Sequence, residues 1–310
     1  MRPQHLGVAA CALIAVGSFG AGATRYRGGL LRAVGLEHLS YGHGRALMDV
    51  LLTAGILGLV VAWVLLWKTR PGLAQVRRSV CWWTGVLALC APILSRDVYS
   101  YLMQGAMLRD GFDPYSEGAA VNPGPYLWEV SHDWRNTTTP YGPLHLGVGK
   151  AVTWLVGENV TLGLVVYRLI SLAGFALIVW ALPRIATQIG GDPALALWLG
   201  AANPVMLLHL IGGMHNEAVM VGLVSVGLLW CLRSRWCTPG IALIALAVSL
   251  KATAAVALPF VVWLMVKRRS TTTLGAAGML VACGAWALAV NVAVIPVSYT
   301  HLRAHETVLD

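Results

Sequence analysis

Apolar runs of about 18–25 residues recur along this sequence. Each is long enough to cross about 30 Å of hydrocarbon as a helix. No other feature restricts the fold as much. The runs have helical period and length, unlike the ten-residue alternating segments of a membrane barrel. Only 11% of the 310 residues are charged, 57% are hydrophobic, and the mean hydropathy is +0.70. A soluble domain carries about 25% charged residues, so lipid must cover much of this surface. The expected fold is all-α: a polytopic bundle of about nine to ten transmembrane helices, by the length criterion. The spans are read at residues 6–23, 48–67, 80–95, 160–182, 193–210, 216–232, 238–250, 252–266 and 273–296.

The net charge of +9 does not indicate nucleic-acid binding. Basic residues cluster between spans: Lys68, Arg70, Arg77 and Arg78; Arg233 and Arg235; Lys267, Arg268 and Arg269. With the N-terminus inside, these clusters and Arg184 fall on the cytoplasmic side, as the positive-inside rule requires. The 24–47 loop, with Arg25, Arg27, Arg32 and Arg45, runs against that pattern. Residues 1–23 read as a spanning helix, because no small-residue cleavage site leads into a soluble domain. The six cysteines have neither metal-ligand spacing nor the look of a disulfide framework. Residues 143–157 are apolar but short and contain Lys150, so they read as a juxtamembrane helix or a short span. Residues 297–310 turn abruptly polar and are expected to be a non-native tail on an incomplete membrane module, 1–296.

The 96–142 loop departs from the rest. It holds six of the chain's thirteen acids (Asp97, Asp110, Asp113, Glu117, Glu129, Asp133) against three arginines. It also holds eight aromatic residues, from Tyr99 to Tyr141. Long loops of this kind are uncommon unless they have a function. Carboxylates accept hydrogen bonds from sugar hydroxyls, and aromatic rings cover apolar sugar faces. Asp97, in S-R-D-V-Y-S-Y, stands just past a span and is positioned to take a proton from an attacking hydroxyl. The alternative is a carboxylate that marks a helix end and pairs with a nearby arginine. Residues 101–109 read as a short amphipathic helix lying on the membrane surface. Pro114 makes G-F-D-P-Y a turn, and T-P-Y-G-P forms a second turn back to the bilayer.

Ionisable groups inside a membrane are costly and usually have a task. Arg168 lies within the 160–182 span, Lys251 interrupts an apolar run, and G-G-M-H-N-E places His215 and Glu217 between spans, with His209 just before them. Two cations and a histidine facing one cavity would suit a phosphate leaving group. A Lys251–Glu217 pair that ties helices together is the structural alternative.

S-R-D-V-Y-S-Y-L-M-Q-G, G-F-D-P-Y and T-P-Y-G-P-L, in this order, resemble the actinobacterial α-(1→6)-mannopyranosyltransferases that use polyprenyl-phosphate mannose. N-P-V-M-L-L-H-L-I-G-G-M-H-N-E and S-L-K-A are similar to later segments of that family, so the resemblance covers residues 80–265. It implies a C-type glycosyltransferase fold and an inverting transfer that needs no metal or other cofactor. Asp97 would be the base. Lys251, His215 and Arg168 would hold the donor phosphate, and Glu217, Asp113, Tyr141 and Tyr101 would bind sugar or acceptor. The implied partners are a polyprenyl-phosphate mannose donor, a lipid-anchored mannan acceptor and membrane lipid. The site would lie on the extracytoplasmic face of the plasma membrane and serve lipomannan and lipoarabinomannan synthesis. Glu217 stands where such enzymes often carry Asp, and the sequence is expected to stop short of the family's later spans. A secondary transporter, which also uses intramembrane charges and broken helices, and a non-enzymatic membrane scaffold are the other classes such a sequence allows.

Overall fold

A computed structural model describes residues 2–233, 237–269 and scattered positions between 275 and 289. The helix expected at 273–296 therefore falls largely, and the 297–310 tail wholly, outside the described residues. Among those residues the regular structure is all helical, with no strand. The helices are, in order, α1 (Pro3–Ala21), α2 (Leu30–Ala33), α3 (Gly42–Lys68), α4 (Leu73–Leu87), α5 (Asp97–Arg109), α6 (Pro125–Glu129) and α7 (Pro143–Val156). They continue with α8 (Val160–Gln188), α9 (Pro193–Gly200), α10 (Pro204–Gly212), α11 (Glu217–Leu232), α12 (Cys237–Leu250) and α13 (Ala257–Arg269).

This is an all-α polytopic membrane protein. Helices α1, α3 and α8 are long and apolar enough to span, with mean hydropathies of 1.5, 2.5 and 2.2 over their best windows. The expected span 193–210 is two helices, α9 and α10, bent by 49°. Asn203 accepts from the Val205 amide at 2.9 Å and Pro204 opens α10, so the sequence restarts a helix there. Shorter apolar helices fill α11, α12 and the segment Ala252–Met265. The expected count of nine to ten spans rests on these shorter helices and on 273–296.

Contacts divide the chain into two compact units, and α5, α8 and α11 contribute residues to both. The first contains Met1–Tyr99, Leu164–Phe175 and Leu182–Ala218. Its centre is the α1–α3 pair, packed through small residues. A Cβ at Gly17 would stand 2.6 Å from the Leu52 amide nitrogen, and one at Gly55 would stand 2.8 Å from the Ala10 carbonyl oxygen. Small residues that let backbones approach this closely are how membrane helices gain contact where lipid supplies no hydrophobic drive. Trp63 of α3 and Trp198 of α9 stack at 4.2 Å, and each indole donates to the other's carbonyl, at 3.1 and 2.9 Å. The expected 80–95 span stops as a helix at Leu87, and residues 88–96 run as an irregular connection into α5.

The second unit contains Ser100–Gly163, Ala176–Ala181 and Val219–Asp310. Here the expectation for residues 101–109 is corrected. They do form a helix, but it does not lie on a surface with one face wet. Tyr101, Leu102, Met103, Ala106, Met107 and Leu108 are each at most 2% exposed. Gln104, the one polar interior position, accepts from the Thr139 hydroxyl at 3.0 Å, so the returning loop covers the face that was expected to meet water. The remainder of the 96–142 loop is compact. It contains 3₁₀ turns at Ala119–Val121 and His132–Trp134 and the short α6 between them.

Candidate active site

Asp97 opens α5, where its own amide donates to the Ser95 hydroxyl at 3.0 Å. Its carboxylate meets a histidine 118 positions later. His215 Nδ1 lies 3.4 Å from Asp97 Oδ2 and 3.7 Å from Glu217 Oε2. The three side chains are part-buried, at 34%, 17% and 29% exposed, so water reaches the group without surrounding it. The His209 ring stands edge-on to His215 at 5.5 Å.

The local backbone explains how these groups are held. The last six residues of α10, Leu207–Gly212, form a π-helix, a rare widening found often at functional sites. The chain then turns through Met214, buried and at φ 55°, directly before His215. On the other side Leu94, at φ 63°, directly precedes the Ser95–Asp97 turn. Left-handed conformations in non-glycine residues cost of the order of 1–3 kcal/mol and persist only where the surroundings impose them. The surroundings here are specific. The Ile93 amide donates to the Gly212 carbonyl at 3.2 Å. Arg168, 8% exposed, donates from Nη2 to the Cys90 carbonyl at 2.6 Å and from Nη1 to the Ile211 carbonyl. One guanidinium from α8 thus ties the strand of chain leading to Asp97 to the π-turn leading to His215. Arg168 was expected at the donor phosphate; its donors are turned to backbone carbonyls. Arg96 is also accounted for: it donates to the Thr24 carbonyl at 2.6 Å and lies 3.7 Å over the Tyr26 ring.

In the second unit the structure gathers Lys251, Tyr141 and Tyr101, and adds His145. The Tyr101 and Tyr141 rings stand edge to face at 5.3 Å. His145, 3% exposed, packs against both, at 4.6 and 4.5 Å. Lys251 Nζ stands 5.4 Å over the Tyr141 ring, within cation–π range. The helix break at Lys251, expected from sequence, is present: α12 ends at Leu250 and Lys251 is extended, at φ −154° and ψ 126°. The T-P-Y-G-P turn docks on that break. The Gly142 amide donates to the Leu250 carbonyl at 3.0 Å, and a Cβ at Gly142 would collide with the Ser249 carbonyl. Two motifs more than a hundred residues apart in sequence therefore form one structure. His145 escaped the sequence reading, although it follows Gly142 by three residues and so sits one helical turn into α7.

Asp113 was expected to bind sugar. Its Oδ1 accepts from the Tyr115 amide and its Oδ2 from the Ser116 hydroxyl, both at 3.0 Å. Its amide donates to Glu117 at 2.9 Å. These bonds make it the organiser of the G-F-D-P-Y turn. The turn brings the Tyr115 hydroxyl to the Tyr141 carbonyl at 2.9 Å.

These motifs coincide with a known family. Residues 4–267 match the model of the alpha-(1->6)-mannopyranosyltransferase N-terminal domain. The chain belongs to the alpha-(1->6)-mannopyranosyltransferase family. It is 58% identical over 264 residues to alpha-(1->6)-mannopyranosyltransferase A of Corynebacterium glutamicum, covering 81% of this chain and 54% of that protein. With alpha-(1->6)-mannopyranosyltransferase A of Mycobacterium tuberculosis it shares 44% identity over 269 residues, 86% of this chain and 52% of the other. Alpha-(1->6)-mannopyranosyltransferase B of Corynebacterium glutamicum is 30% identical over 245 residues, 72% of this chain and 40% of its own length. The chain thus spans about half the length of the curated relatives it matches. No solved structure matches it.

Proposed function

We propose that this mannopyranosyltransferase family member transfers mannose from a polyprenyl-phosphate donor to a lipid-anchored mannan, forming α-(1→6) linkages at the extracytoplasmic face of the plasma membrane. The observation that carries the proposal is the Asp97–His215–Glu217 cluster, beside two strained turns, in a chain of this family. Asp97 takes the proton of the acceptor's primary hydroxyl as that oxygen attacks the anomeric carbon. The carbon–phosphate oxygen bond breaks, and the polyprenyl phosphate leaves with the electron pair. A phosphate monoester is already a stable leaving group, so the reaction asks for a base and for positive charge near the phosphate more than for an acid.

His215 Nδ1, within ion-pair distance of the Asp97 and Glu217 carboxylates, positions Asp97, and Glu217 aligns the ring. Lys251, held over Tyr141, supplies charge to the donor phosphate, and Tyr141 offers its ring to a sugar, with the buried Tyr101 packed behind it. Arg168 acts through the two carbonyl-bearing segments it joins, as a positioning residue. The test is transfer of radiolabelled mannose from polyprenyl-phosphate mannose in membranes that carry the protein. New α-(1→6)-linked mannan supports the reading. Movement of a solute with no new glycosidic bond would replace it with a transporter.

A further inference from the structure

The 96–142 loop encloses a cavity that the residues above do not use. It has a volume of about 280 Å³ and is lined by Met103, Ala106, Asp110, Asn122, Tyr126 and Glu158, with Pro123–Pro125 and Leu127 completing the wall. All of these belong to the second unit. Ligand pockets run about 300–1,000 Å³, so this one has room for a single sugar ring and not for a lipid chain. From this cavity we infer a glycan subsite that holds one neutral hexopyranose residue through Asp110, Asn122 and Glu158.

The polar wall is fixed before any ligand arrives. Arg109 clamps Asp110 from Nε and Nη2, at 2.7 and 3.0 Å, and reaches Glu158 Oε1 from Nη2 at 2.5 Å. The Asn122 amide donates to Asp110 Oδ2 at 2.9 Å. Arg109 further donates to the carbonyls of Thr153 and Gly157, at 3.2 and 3.3 Å. With one guanidinium between two carboxylates, the acceptors are oriented and about half of their negative charge is offset. That arrangement suits hydroxyls, which donate to aimed carboxylate oxygens. Much of the remaining lining is apolar: Met103 and Ala106, each at most 2% exposed, Leu127, and the prolines that flank Gly124. A sugar ring has both an apolar face and hydroxyl edges, whereas a hydrated metal ion gains nothing from the apolar wall.

Gly124 lies in the cavity wall. Its φ of 171° is extended backbone that any residue adopts. A Cβ built there has Glu158 Oε2 as its nearest neighbour, at 3.7 Å, so a side chain at 124 would enter the cavity without a backbone clash. The inference rests on the mannosyltransferase reading only for the choice of mannose as the sugar.

The test is saturation-transfer NMR of α-(1→6)-mannotriose with the full chain in detergent micelles, without any donor. The expected result is binding that weakens about tenfold in Glu158→Gln and at least twentyfold in Gly124→Leu, with Gly124→Ala close to wild type and all variants melting alike. If Gly124→Leu alone misfolds, the Glu158→Gln result decides. No mannotriose binding, equal binding by wild type and Glu158→Gln, or calcium displacing the sugar would each overturn the subsite. Because no donor is present, failure here leaves the transferase reading standing, and failure of transfer leaves this result standing.

Discussion

Gly142→Ala isolates the contact that joins the T-P-Y-G-P turn to the Lys251 break. At φ −78° and ψ 169° the position is open to alanine, so backbone strain does not enter. The added Cβ collides with the Ser249 carbonyl oxygen and stands 2.7 Å from its carbon. Carbon atoms rest about 3.5–4.0 Å apart, so the turn must retreat by roughly 1 Å. That movement stretches the 3.0 Å bond from Gly142 to Leu250 beyond hydrogen-bonding range. Its loss costs about 0.5–1.5 kcal/mol, and overpacking adds about 1–3 kcal/mol. The sum, about 1.5–4.5 kcal/mol, corresponds to a fall in Tm on the order of 10 °C, given about 2–4 °C per kcal/mol for chains of 150–250 residues. Tryptophan fluorescence during heating in detergent, at one scan rate, reads the difference. Gly85→Ala is the companion: nothing lies within 4 Å of a Cβ in that α4 position, so Tm is expected to hold or rise slightly. Gly142→Ala and wild type melting together would refute the docking argument.

His215→Gln is expected to lower kcat for mannose transfer about ten- to a hundredfold with little change in KM, since a hydrogen bond to a charged group is worth about 1.5–3 kcal/mol; a change within twofold would remove His215 from the site. Arg168→Gln is expected to lower Tm and transfer together, because two buried carbonyls lose a charged donor at about 1–3 kcal/mol each; wild-type melting of that variant would contradict the tie between the two turns. Acid stability should depend on Asp110. Burial works to raise its pKa, but the hydrogen bonds from Arg109 and Asn122 and the Arg109 charge outweigh that and hold it below the ordinary value. A depressed folded-state pKa contributes stability that is complete above the unfolded value, about 3.9, and is lost as pH falls through the folded value. Wild-type Tm should therefore fall more steeply than that of Asp110→Asn below about pH 4, and parallel curves would show that the clamp does not stabilise the fold.

The spans were legible because lipid imposes length and apolarity on each segment separately, and α1, α3 and α8 follow directly from that rule. The two proline turns were legible for an equally local reason: Pro114 and Pro140 restrict the residues before them. What the sequence hid was partnership. Nothing in spacing pairs Asp97 with His215, or turns Arg168 from a phosphate to the carbonyls of Cys90 and Ile211. Those buried carbonyls are left for Arg168 because α4 stops early and α10 widens into a π-turn, and neither event has a strong local signature. The burial of α5 was misread for a related reason. Gln104 and Arg109, on faces away from Leu102 and Ala106, suggest a wet face, yet a loop residue 35 positions on, Thr139, supplies the hydrogen bond that Gln104 needs. The Arg109–Glu158 clamp likewise joins the loop to the end of α7 and follows from no motif.

The central claim is that Asp97 is the base. Asp97→Asn keeps the size of the side chain and its place at the start of α5 while removing the capacity to take a proton. The most direct measurement is mannose transfer from radiolabelled polyprenyl-phosphate mannose by this variant, in membranes where its level and melting match wild type. With Asp97 as base, kcat is expected to fall about a hundredfold or more, in keeping with the 10²–10⁴-fold that a positioned base contributes. Near-normal transfer by Asp97→Asn would contradict it.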